Sequence, residues 1–155
     1  MVTAGGVLLA LEGIDGSGKS TQARRLAAKL ADRGYPVELF REPGDSEFGA
    51  ELRRIFVEGR DVSPEEEMRL FLEDRRIDVR ENIRPALERG SIVIMDRYYL
   101  SSVVYQGAMG LDPEMILAAN LEIAPEPDLT LVFDLDPMVA LERIRAARGD
   151  ADSFE

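Results

Sequence analysis

Residues 13–20 read Gly13-Ile14-Asp15-Gly16-Ser17-Gly18-Lys19-Ser20, a complete G-x-x-x-x-G-K-[ST] pattern. The apolar run Val7-Leu8-Leu9-Ala10-Leu11 precedes it, and a helical pattern with Ala23, Leu26, Ala27 and Leu30 on one face follows. Strand, loop and helix are the context in which this pattern holds phosphate rather than forming an ordinary Gly-rich turn. Consecutive backbone N–H groups then point into a concavity at the positive end of a helix dipole. Lys19 would reach the outer phosphates, and the Ser20 hydroxyl would complete a Mg²⁺ site. The stretch implies a nucleoside triphosphate ligand.

Outward from this loop, strands and helices alternate. The pattern predicts strands near 7–12, 36–41, 91–96 and 128–135, and helices near 19–33, 47–57, 99–106 and 113–123. Ser63-Pro64-Glu65-Glu66 starts a long helix, with Ser63 as cap, Pro64 first and Glu66 placed for a capping box. That helix should reach Arg89 with a kink at Pro85. Asp136-Pro137 opens a last helix to about Arg148. Such alternation implies a parallel sheet covered on both faces, with ligands beyond the C-terminal ends of the strands. Glu12, Arg41-Glu42 and Asp96-Arg97 end three of the strands and should gather at one edge.

Composition narrows the chemistry. The 155 residues suit one domain, and with no cysteine and no histidine the chain has no thiol nucleophile and no imidazole base or ligand. Carboxylates, Arg, Lys, hydroxyls and backbone dipoles remain. The net charge is −11, with nine basic and nine acidic side chains in residues 1–60 but ten against twenty-one in 61–155. That balance argues against a nucleic-acid partner, and any phosphate site must be a local cationic cluster. No apolar run is long enough for a membrane span, and the N-terminus lacks a signal-peptide pattern; a cytoplasmic protein is expected.

Three further features point to a second ligand. On the long helix the apolar stripe follows Met68, Leu72, position 75, Val79, Ile83 and Ala86, yet position 75 is Arg. Either Arg75 snorkels or pairs with Asp74 or Asp78, or it lines a ligand pocket with Phe71 one turn earlier. Phe71 alone reads as core. Asp96, directly after a buried strand, can hold Mg²⁺ or its waters opposite the loop, or cap a helix. Arg97 would face the phosphate crevice. Ser102, Tyr105 and Gln106 share one helical face, which is a solvated polar surface or a set of groups that read a base or sugar. Asp134 and Asp136 read as structural.

Leu11 to Thr21, Arg41-Glu42-Pro43-Gly44, Asp74-Arg75, Asp96-Arg97-Tyr98, Tyr105-Gln106-Gly107 and Pro127-Asp128-Leu129-Thr130-Leu131 occur in this order. In that combination the chain resembles bacterial thymidylate kinases, members of the P-loop nucleoside monophosphate kinases, over nearly its whole length. The resemblance implies a three-layer α/β/α fold in one domain, 1–155, and γ-phosphoryl transfer from ATP, with Mg²⁺, to dTMP. The donor site would comprise Gly13, Ile14, Asp15, Gly16, Ser17, Gly18, Lys19, Ser20 and Thr21, with Ser20 and Asp96 toward the metal. It further implies that Arg97 and Arg53 grip the dTMP phosphate and that Asp15, Glu42 and Pro43 line the sugar–phosphate end. Phe71 would stack on thymine, Arg75, Ser102 and Gln106 would bond its edge, and Tyr105 would crowd the 2′ position. A homodimer is also implied.

Two departures stand out. Asp45 occupies a position where the family usually has a second Gly, and Gly16 leaves the loop without the Arg that one branch carries. A lid cation should therefore come from Arg143, Arg145 or Arg148, with Arg148 the first choice. The family continues beyond Glu155 with a C-terminal strand and helix, so the lid, beginning near 145–155, is expected to be incomplete, and Ser153 stands where a lid Arg is often found. Two other readings remain: a nucleotide-binding module without turnover, and a deoxynucleoside kinase using Glu42 as base. No Asn-Lys-x-Asp motif supports a regulatory GTPase.

Overall fold

A computed structural model describes residues 5–59 and 61–152, the side chains of 148–152 excepted. Four strands, β1 (Val7–Gly13), β2 (Val37–Arg41), β3 (Ile92–Asp96) and β4 (Leu129–Phe133), form one parallel sheet in the order β2-β3-β1-β4. The central strands β1 and β3 are apolar nearly throughout because both of their faces are covered, whereas the edge strand β4 leaves Leu129 and Val132 exposed. Leu8, Ala10, Val93 and Met95 point to one side and pack on Val79, Ile83, Ala86 and Tyr98. Leu11 and Ile94 point to the other and meet Ala23, Leu26 and Leu30 of α1 (Lys19–Ala31). The result is the expected three-layer α/β/α arrangement.

Register explains why the site lies where it does. Leu11 and Arg41 are both level with Asp96, so β2 and β3 end at the same height, two residues before β1 does. The Glu42 N–H donates to the Asp96 carbonyl and the Arg97 N–H to the Leu11 carbonyl, carrying the alignment one residue past the strands. Glu12, Glu42 and Arg97 thereby converge at one edge of the sheet.

The remaining helices are α2 (Glu47–Glu58), α3 (Pro64–Asp78), α4 (Arg84–Glu88), α5 (Tyr99–Ala108), α6 (Pro113–Leu121) and α7 (Pro137–Asp152). At the start of α3, Ser63 Oγ accepts from the Glu66 N–H at 3.2 Å, as its sequence predicts. The capping box is only half formed, because the Glu66 carboxylate turns to Arg69 at 2.7 Å. The predicted kink also differs. The helix widens into a π-helical stretch at Val79–Ile83, ahead of Pro85, and the Arg84 N–H reaches back to the Val79 carbonyl. Proline cannot donate, and its ring would crowd the carbonyl four residues back; widening the preceding turn relieves this without ending the helix. Among the described residues no helix is long and apolar enough to cross a membrane.

Candidate active site

The loop between β1 and α1 is shaped by glycine. Gly18, at the N-cap of α1, has φ 92°, and no side chain caps the helix there. Its first-turn N–H groups are therefore available to an anion. A Cβ on Gly16 (φ 79°) would lie 2.6 Å from the Ala140 carbonyl of α7, so a side chain at this position does not fit. Lys19 is buried at 5% exposure, and its Nζ donates to the Ile14 carbonyl at 3.3 Å. Burial, helped by the charge of Arg97, pulls its pKa below the usual lysine value.

Ser20 and Asp96 line a common cavity of about 350 Å³ on one side of this loop. Asp96 Oδ1 is buried without a hydrogen-bond partner. Asp96 is not a helix cap: the N-terminus of α5 is capped by Glu12, whose carboxylate accepts from the N–H groups of Tyr98 (3.0 Å) and Ser101 (3.3 Å). A hydroxyl and an open carboxylate oxygen are hard donors of the kind Mg²⁺ takes. Among the described residues no group of three or more acidic side chains could hold a metal. A magnesium ion here would draw its other ligands from phosphate and water.

A second cavity, of about 580 Å³, opens on the other side. Arg97 enters it from a left-handed backbone (φ 70°), a conformation costly for a side chain this large. Its Nη2 donates to Asp15 at 2.6 Å, its Nη1 to Ser101 Oγ at 3.1 Å, and its guanidinium lies 5.4 Å above the Tyr105 ring. Asp15 is also 3.6 Å from Lys19 Nζ. Although burial opposes its ionisation, these two cations hold its carboxyl below the ordinary range. Asp15 thus links the β1–α1 loop to the second cavity.

At the far end, Arg75 resolves its anomaly. Its guanidinium is 1% exposed, forks onto both oxygens of Glu42, and donates to Asn120 Oδ1 and, at 3.3 Å, to Ser102 Oγ. The expected partners Asp74 and Asp78 do not serve. Asp74 instead accepts from the Gly44 N–H (2.7 Å) and Ser46 Oγ (2.5 Å), holding the turn that carries Glu42. Burial drives the Glu42 carboxyl up against the pull of Arg75.

Of the residues singled out by sequence, Glu42, Pro43, Phe71, Arg75, Tyr105 and Gln106 line this cavity with Asp15 and Arg97. Phe71 is both wall and packing partner, its ring 6.2 Å from that of Phe56. Ser102 lies beneath the Arg75 guanidinium and Arg53 donates to the carbonyls of Pro43 and Gly44; neither is part of the lining. Arg143 Nη1 donates to the Gly16 carbonyl at 3.2 Å. The Arg148 side chain and Ser153 lie outside the described residues. Sequence reasoning missed Glu67, Phe56, Ser101 and Asn120. Glu67, Phe71 and Arg75 recur every fourth residue, a spacing that marks one face and could have found the first of them.

Comparison with known proteins agrees with this geometry. The thymidylate kinase family model matches residues 11–155. A probable thymidylate kinase of Archaeoglobus fulgidus is 50% identical over 149 residues, covering 96% of this chain and 74% of that protein. A thymidylate kinase of Xanthomonas campestris is 52% identical over 150 residues, covering 97% of this chain and 65% of its own length, so the chain spans slightly under two thirds of that relative. The crystal structure of thymidylate kinase from Ehrlichia chaffeensis superposes with a TM-score of 0.79 at 33% identity, over 96% of this chain and 87% of that one. With its loop, its strand register and its second cavity in place, the chain belongs to the thymidylate kinase family of nucleoside monophosphate kinases.

Proposed function

We propose that this chain transfers the γ-phosphoryl group of ATP to dTMP, forming ADP and dTDP. The observation that carries the reading is Asp15, 2.6 Å from Arg97 and 3.6 Å from Lys19. A single carboxylate spaces the loop cation from the acceptor-cavity cation, where two phosphates would meet end to end. The oxygen of a nucleoside monophosphate is already anionic, so the transfer needs alignment and charge neutralisation rather than a base. Lys19 and the N–H groups of residues 13–21 would hold the donor phosphates. Arg97 would hold the acceptor phosphate, and Arg53 would act by holding the turn of Pro43 and Gly44. Ser20 and Asp96 would hold a Mg²⁺ ion, which would neutralise charge on the donor phosphates. Arg148 is proposed to stabilise the transferring phosphoryl, with Arg143 already at the loop.

Phe71 would stack on thymine, with Arg75 and Gln106 at its edge and Tyr105 against the sugar. The deoxynucleoside kinase alternative loses its base, because both Glu42 oxygens accept from Arg75. A homodimer and a cytoplasmic location go with the proposal. ADP formation with ATP and Mg²⁺ across dTMP, dUMP, dCMP, dGMP, AMP and thymidine tests it. A response chiefly to dTMP is expected. A response chiefly to thymidine would overturn the reading, and dTMP binding without ADP formation would favour a module without turnover.

A further inference from the structure

Glu67 and Gln106 are both fully buried, on α3 and α5, yet both line the acceptor cavity. Gln106 Nε2 donates to Glu67 Oε1 at 2.9 Å. A carboxylate can only accept, so it forces the neighbouring amide to present its NH₂ group and turn its carbonyl away. That carbonyl, Gln106 Oε1, is buried with no hydrogen-bond partner. A buried acceptor left open is costly for stability alone, and at the wall of a cavity it is an acceptor kept for a ligand.

We propose that Glu67 is a positioning residue that fixes the Gln106 amide with its carbonyl toward the base, so that the cavity selects a pyrimidine carrying an N–H at ring position 3. The inference rests on the dTMP reading above and goes beyond it by assigning the selection to a residue behind the one that touches the base. Thymine and uracil carry a hydrogen at N3; cytosine presents a lone pair there, which a fixed carbonyl repels. Selection therefore combines an attractive contact with a repulsive one. Without the carboxylate the amide could turn over and offer its NH₂ to cytosine. Arg75 beside it is a donor in either case, so the preference for thymine should narrow rather than vanish.

Steady-state kinetics of the wild-type chain and of Glu67→Gln with dTMP and dCMP tests this, since the introduced amide can donate as well as accept. The expected result is a rise in KM for dTMP of about tenfold with kcat little changed, a fall in KM for dCMP, and a dTMP:dCMP preference narrowed by about tenfold. An unchanged preference in a folded variant overturns the proposal. So does an equal loss on both nucleotides accompanied by a lower melting temperature, which is what a purely structural role would give. A wild-type chain that does not favour dTMP over dCMP contradicts the dTMP reading itself, before Glu67 is in question. If Glu67→Gln does not fold, wild-type binding decides: dTMP methylated at N3 should bind at least about tenfold more weakly than dTMP, and equal binding overturns the proposal.

Discussion

The β1–α1 loop and the second cavity meet at Asp15, yet they are built in opposite ways. The proposed donor site is the nine consecutive residues 13–21, from the end of β1 through the loop into α1, whose working groups would be backbone N–H groups, made possible by backbone angles such as φ 92° at Gly18. The cavity draws side chains from β2's exit, α2, α3, β3's exit and α5, with Asn120 of α6 behind them, and pairs residues as far apart as Asp15 and Arg97, 82 positions along the chain. The difference matches the ligands proposed for the two regions. Every nucleotide has the same phosphates, which backbone dipoles hold without regard to side chains. A base is recognised only by its own pattern of donors and acceptors, and that takes placed side chains.

The contrast can be broken by substitution. Lys19→Ala should cost on the order of 10³-fold in turnover, read as ADP formation, with an unchanged melting temperature, because among the described residues Lys19 bonds the Ile14 carbonyl and the exposed Asp15 alone. Wild-type-like turnover would remove the phosphate role. In the cavity, binding and folding use the same groups. Glu42→Ala leaves Arg75 buried without its fork and should cost about 3 kcal/mol, a fall in melting temperature of roughly 10 °C. An unshifted transition would mean that the buried pair is not part of the framework. Tyr105→Ala sharpens the picture most gently. Tyr105 is 37% exposed at the cavity wall, and its loss should narrow the preference for dTMP over its ribose counterpart by about tenfold while the fold survives. An unchanged ratio would exclude steric selection at the sugar.

The same contrast governs what could be read from the sequence. β1, the loop and α1 were legible because all their determinants are local. The gathering of Glu12, Glu42 and Arg97 was legible because parallel strands bring their C-terminal ends to one edge of the sheet. Arg75 stood out as a charge on an apolar stripe, but its partner did not: Glu42 is 33 residues away and reaches it only after the sheet register and the Asp74 clamp are set. Asp74 and Asp78 were nearer in sequence and pointed elsewhere. Ser102 was placed on the right helix but lies beneath the guanidinium, since one helical face is wider than one cavity. At Pro85 the sequence marks a disturbance, while its form as a π-helical turn depends on how Val79 and Ile83 pack on the sheet.

Binding of dTMP and of a non-hydrolysable ATP analogue, each titrated calorimetrically into wild type, Lys19→Ala and Arg75→Lys, tests the two-ended site most directly. Lysine keeps the charge beside Glu42 but not the planar fork. Lys19→Ala should weaken the ATP analogue by about tenfold or more and leave dTMP within about twofold, while Arg75→Lys should do the reverse. Losses shared equally by both ligands in either variant would contradict the account.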